Sequence, residues 1–302
     1  MNPRLRLERL DKTPTVSYYL PFAERSVNWE DFEAWLLRDH KPRIARDMVS
    51  YAKRYCHYLF ERDFSELKLL SDGKRRHVLK SLSALAKYFG IYEDFKRLVR
   101  NYGVKWVGKS SADILIERLT KIANPNEVFE WIKEVKKACS KLEVFMDFMA
   151  VTGLRLNEAV MSYNLIIDLA RENRLSEYYS EVNECLEHFK FKEFFIRRTK
   201  KAFVSFIPKE LVRRIAENEK LKSYYAVKKA VHDGVGKQRF GDIREVHATL
   251  LTKYLKQPEI DFLHGRVSTS IFMQHYFNPA LISDLKQRVF KAISEIKHKI
   301  SA

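Results

Sequence analysis

Residues able to do chemistry on a phosphate gather in four short stretches of this chain. The last is "FLHGRVSTSIFMQHYFNP", residues 262–279, where His264, Arg266, His275 and Tyr276 stand among apolar neighbours. Before it come "TGLRLNEA" (152–159), "EHFKFKEFFIRRTKKAFVSFIP" (187–208) and "FGDIREVHATLL" (240–251). A guanidinium is a planar fork that grips two phosphate oxygens at once, and Arg155, at an expected helix start with Glu158 three residues on, can be held ready for that. On spacing alone, an arginine at a helix start is more often a plain surface residue. From Lys190 to Arg214 there are nine basic and two acidic residues. Adjacent like charges repel unless a counter-charge arrives, so this segment is expected to face phosphate. Tyr276 is one of 15 tyrosines, and beside Phe272, Met273 and Phe277 it would by itself read as a core or edge aromatic.

The elements that must position these residues are mostly helical. With 9 Gly and 8 Pro in 302 residues, there is little turn chemistry to divide many short strands. The length suits two domains better than one. A net charge of +17, from 56 Lys and Arg against 39 Asp and Glu, implies a polyanionic partner. Nucleic acid is the first choice. An anionic membrane surface is second, because the excess is spread evenly and no basic amphipathic helix stands at a terminus. Three scattered cysteines, Cys56, Cys139 and Cys185, make neither a disulfide framework nor a zinc spacing, so no metal or other cofactor is expected. The charged start "MNPRLRLERLDK" is unlike a signal peptide, and no uncharged apolar run approaches about 18 residues, which predicts a cytoplasmic chain.

Along the chain, residues 1–27 lack a sustained period and are read as an extended arm. Residues 28–103 carry four helical patterns with Gly stops, a compact all-α bundle. Its basic runs, with Lys74, Arg75 and Arg76 in "GKRRHVLK", are either solvated helix faces or phosphate contacts. Residues 104–118 interrupt the periodicity and are the expected linker. A single long helix is expected over 124–152, with Asn124 as N-cap, Pro125 in its first turn, Glu127 three residues after the cap, and Val128, Ile132, Val135, Cys139, Leu142, Met146 and Met149 as its buried stripe. Alternation in 187–208 around the polar turn "RRTKK" predicts a β-hairpin. In the tail, 281–302, Ile282, Leu285, Val289, Ile293, Ile296 and Ile300 share one helical face.

Taken together, these stretches resemble the tyrosine recombinases, the integrase family. "TGLRLNEA" is similar to that family's first arginine box, T-G-x-R-x-x-E, "FGDIREVHATLL" to its second, H-x-x-R-H-x-x-A-T, and "HYFNP" to its tyrosine box. The similarity covers residues 120–280, and "HGRVSTSIF" looks most like the integrases of archaeal viruses and plasmids. The resemblance implies a mainly α protein: a four-helix core-binding domain (28–103), a mostly helical catalytic domain with a small β-hairpin sheet (119–280), and a C-terminal helix (281–302). It implies catalytic roles for Arg155, Arg244 and the nucleophile Tyr276. It also implies a lysine at the hairpin turn, Lys200 in preference to Lys201, and a further group ten residues before the tyrosine, Arg266, with His264 second. Lys201, Arg198, Arg197, Lys74, Arg75 and Arg76 are then the expected DNA contacts. One departure stands out: the second box should carry His or Lys at the position of Gly241, so either His247 takes that place or the site works with a reduced set.

The activity so implied is site-specific cleavage and rejoining of duplex DNA through a 3′-phosphotyrosyl intermediate, without metal or ATP. The two domains would clamp DNA, and a homotetramer would be held together through the tail. The alternatives are a non-catalytic DNA-binding descendant of the family and a type IB topoisomerase-like strand passage, with an RNA-binding module more distant.

Overall fold

Apolar residues at three- and four-residue spacing in the first hundred positions dictate helices, and local caps set their ends. The computed structural model describes residues 27–106, 110–120, 125–197, 200–237, 239–266 and 271–301; the expected arm except its last residue, Val27, together with Asn124 and Arg198, lies outside the described residues. Helix α1 (Trp29–Leu37) starts at Asn28, whose side-chain oxygen accepts the Glu30 and Asp31 N–H groups at 3.2 Å. Helix α2 (Pro42–Glu61) opens on a proline. Helices α3 (Asp72–Tyr88) and α4 (Tyr92–Asn101) are followed by Gly90 and Gly103 in the left-handed region. Phe32, Leu36, Ala52, Leu59, Leu79, Leu82 and Phe95 close one core among these helices. Helix α5 (Ser111–Thr120) lies across the stretch expected as a linker. The chain divides into two compact units, Met1–Lys121 and Ile122–Ala302, and the second holds its own core.

In the second unit the single long helix is corrected to two: α6 (Pro125–Ala138) and α7 (Glu143–Thr152), separated at Cys139 and the 3-10 turn Ser140–Leu142. The reason is burial. From Phe145 to Thr152 every residue of α7 is buried, so the chain must turn inward where α6 still has an exposed side. The Lys136–Asp147 ion pair, at 2.7 Å, spans the break. Then follow α8 (Leu156–Arg171), β1 (Tyr179–Ser180), β2 (Cys185–Leu186), α9 (Lys192–Phe195), β3 (Ser205–Phe206), α10 (Lys209–Ala216), α11 (Tyr224–Val235), α12 (Phe240–Leu251), α13 (Gln257–Leu263) and α14 (Leu285–Ser301). The protein is mainly α with a small antiparallel sheet in the order β1-β2-β3.

The expected hairpin needs a correction too. Its turn is present, closed by the Ile196–Lys201 bridge and the Arg197 N–H donating to the Lys200 carbonyl at 3.0 Å. The first arm is not a strand but a 3-10 turn (His188–Lys190) followed by α9. His188 is fully buried, bonded to Tyr178 at 2.6 Å and Ser205 at 2.8 Å, and Phe195 packs on its ring. A strand would send His188 and Phe195 to opposite faces. Helical spacing puts 188, 191 and 195 on the same side, where the core can take them together.

The apolar stripe of α14, Leu285, Val289, Ile293, Ile296 and Ile300, is buried within its own chain against α6, α7 and α12. No helix among the described residues is long and apolar enough to cross a membrane.

Candidate active site

Helix α7 stops at Gly153, in the left-handed region at φ 58°, and the chain restarts as α8 at Leu156, with Arg155 at the N-cap in extended backbone. Glu158, in the first turn of α8, is completely buried, and a buried carboxylate survives only when paired. It has two partners. Arg155 Nη1 donates to both carboxylate oxygens at 3.0 and 3.1 Å, and Arg197 Nη2 donates to one of them at 2.8 Å. Arg155 retains 27% side-chain exposure, so part of its fork stays open.

From α12, Arg244 reaches two carbonyls: Nη1 donates to Gly153 at 2.7 Å and Nη2 to His264. Burial, then the nearby charges of Arg155 and Arg266, bring its pKa down to about 10, so it remains a cation at neutral pH. Three guanidiniums near enough to repel, with one buried carboxylate, leave a net positive basin that an anion would relieve.

One turn along α12, His247 Nε2 lies 3.1 Å from the Val151 carbonyl and Nδ1 lies 3.0 Å from His264 Nε2. A carbonyl only accepts, so His247 Nε2 carries the hydrogen and Nδ1 accepts from His264. Burial pushes the His247 pKa down to about 4, and that of His264 lower still, through burial and then the neighbouring His247 and arginines. Both are neutral at pH 7. Because both ring nitrogens of His247 are engaged, it offers none to a phosphate. Gly241 is exposed, and a Cβ there would meet nothing within 4 Å.

Two glycines allow the segments to touch. A Cβ on Gly153 would lie 2.5 Å from His247 Nδ1, and one on Gly265, also left-handed, 1.7 Å from the Lys201 carbonyl oxygen. That carbonyl lies 3.5 Å from Arg155 Nη1. The basin is thus assembled from the α7–α8 junction, the 196–201 turn, α12 and the end of α13. Lys200 and Arg266 are exposed, Lys201 is half-buried, and His264 is buried.

Tyr276 ends the π-helical turn Phe272–Tyr276, 74% exposed and without a hydrogen-bond partner among the described residues. Its neighbour Phe277 packs at 6.1 Å on Phe262, which stacks at 5.7 Å on Phe203. This aromatic row ties the tyrosine segment to the chain just past Lys201. In the first unit, Lys74 and Arg76 are exposed on α3. Arg75 is not available to DNA: it is 9% exposed and donates to the carbonyls of Lys105, Lys68 and Leu70 while pairing with Asp72. Three residues in a row on a helix cannot all face outward, and Arg75 falls on the inner side. Sequence reasoning also missed the second partner of Glu158 and the histidine pair, for which spacing carried no signal.

A basic chain with a helical scaffold and clustered guanidiniums is the construction of a DNA-handling protein. The description archaeal phage integrase matches residues 120–292, more than half of the chain, and the protein belongs to that family. Membership implies a recombinase role with DNA as partner. No curated protein and no solved structure matches the chain.

Proposed function

We propose that the protein is a site-specific recombinase that cuts and rejoins duplex DNA through a 3′-phosphotyrosyl intermediate, with Tyr276 as nucleophile. The observation that supports this is the gathering of Arg155, Arg244 and Arg266, from distant parts of the chain, with the Lys201 backbone beside them. A phosphodiester repels nucleophiles, and its pentavalent transition state gathers more negative charge, so cations fixed beforehand lower the barrier. The Tyr276 oxygen attacks phosphorus as its proton passes to water, the bond to the 5′ oxygen breaks, and Lys200, or Lys201 in its stead, gives that oxygen a proton. The bond energy is kept in the phosphotyrosine, and a 5′-hydroxyl from another strand reverses the step without metal or ATP. His264, buried and neutral, acts from behind the basin and not on the phosphate. Exposed Lys74 and Arg76 are phosphate contacts of the first unit. Strand exchange needs several protomers, which would meet through the C-terminal segment 281–302, whose α14 stripe is covered by its own chain in the single protomer.

The test is covalent trapping on a library of nicked duplex sites. Wild type forms an adduct, and Tyr276→Phe forms none while keeping its duplex affinity. A second reading, a DNA-binding protein without cleavage, draws on Gly241 and on the exposed position of Tyr276. Strong duplex binding without any wild-type adduct would favour it.

A further inference from the structure

Helix α12 sends two side chains, one turn apart, to the same pair of loops. Arg244 joins the carbonyl of Gly153 to that of His264; His247 joins the carbonyl of Val151 to the ring of His264. One loop leads into Arg155 and the other into Arg266. We propose that His247 is a positioning residue for this basin: with His264 it forms a second bolt, parallel to Arg244, that fixes the Arg155 loop against the Arg266 loop.

Filling space does not require this pair. His247 and His264 are 5% and 1% exposed, and His247 is backed by Val128, Ile132, Ala150, Leu250 and Ile296, a wall against which leucine would pack as well. The chain of hydrogen bonds runs one way, from His264 through His247 to Val151, and leaves His264 Nδ1 buried with no partner among the described residues. An orphaned buried acceptor destabilises, whereas replacing both partners by apolar groups is nearly neutral. Packing alone does not call for an arrangement that leaves His264 Nδ1 orphaned, which points to a gain in geometry. The charged groups facing it are Arg155, Arg244 and Arg266. Cations that must meet one phosphorus gain most from a rigid frame, since a displacement of about 1 Å can cost on the order of 100-fold in rate.

The inference rests on reading the three arginines as a phosphate site, and the experiment separates the two. His247→Asn keeps an acceptor for His264 and loses the donor to Val151; His247→Gln does the reverse; the double variant His247→Leu/His264→Leu removes both groups together. Each is compared with wild type for melting temperature, for affinity for inorganic phosphate read from phosphate-dependent melting, and for adduct formation on the site library. Arg244→Ala supplies the reference without a basin. The double variant, which leaves the buried Val151 carbonyl without its donor, is expected to fold but melt somewhat lower than wild type, to bind phosphate about tenfold more weakly, and to form adduct on the order of 10- to 100-fold more slowly. The single variants fall between. A double variant that binds phosphate and forms adduct like wild type overturns the proposal. If it does not fold, unchanged phosphate affinity in both single variants overturns it equally. Absence of phosphate binding by wild type removes the basin and the inference with it. Absence of adduct alone removes the recombinase reading and leaves the phosphate comparison decisive.

Discussion

Glu158 is the best single place to test how the site is held together, because one fully buried carboxylate serves two guanidiniums, one of them 39 residues along the chain from it. Glu158→Gln keeps the shape and removes the charge, and it turns one acceptor oxygen into a donor aimed at other donors. Breaking one side of a buried ion pair costs about 3 to 5 kcal/mol. Here Arg155 and Arg197 keep 27% and 36% side-chain exposure, so water relieves part of their stranded charge. That sets the expectation at the lower end, about 3 kcal/mol. For a unit the size of Ile122–Ala302 this is a fall of about 6 to 12 °C in melting temperature. Arg197→Gln, which leaves Arg155 paired, should cost about 1 kcal/mol. The double variant should lose less than the two singles added, by up to about 1 kcal/mol, because both remove the same contact. Calorimetric melting of the four proteins measures this. A Glu158→Gln protein melting within about 2 °C of wild type, or fully additive costs, would refute the shared-carboxylate account.

Arg75→Ala should destabilise the first unit by about 1 to 3 kcal/mol, since three partly buried hydrogen bonds to carbonyls are lost, without changing the salt dependence of duplex binding. Arg76→Ala should leave stability alone and reduce the slope of log affinity against log salt by about 1, which fluorescence anisotropy at several salt concentrations resolves. Acid stability follows from the buried histidines: burial holds His188 at about 3 and His247 at about 4, with His264 depressed as well. In the unfolded chain each takes its proton near pH 6.5, so the folded state binds fewer protons below that value. Stability is complete above about pH 6.5 and falls by about 1.4 kcal/mol per pH unit for each histidine as pH drops toward 4; equal urea midpoints at pH 7.5 and 5.5 would contradict this. Gly241→Ala should raise stability by about 0.5 to 1 kcal/mol by restricting the unfolded chain, and Gly241→Lys should melt like wild type, because a Cβ there meets open space; a drop in melting temperature for either would show hidden packing.

Helical periodicity, Gly stops, the excess of positive charge and the short arginine-bearing boxes are local properties, and they were legible because a period of three to four residues depends only on neighbours in the chain. On that basis helices α1 to α4, the mostly helical character of the second unit and the integrase kinship could be read from residue order, whereas α5 falls where a linker was expected. The break between α6 and α7 could not be read, since it depends on which residues of α7 the surrounding helices bury. Nor could the helical arm before the 196–201 turn, where one core pocket takes His188 and Phe195 together against the alternation written in the phenylalanines. Arg75, Arg197 and His247 looked like their neighbours in sequence and differ only in what lies across from them: three carbonyls, a shared carboxylate, a second histidine. Such partners stand tens of residues away, and spacing along a chain holds no record of distance through space. Composition and order therefore determined the elements and the kind of partner, while tertiary packing alone decided which cations remain open to a phosphate and which hold the protein together.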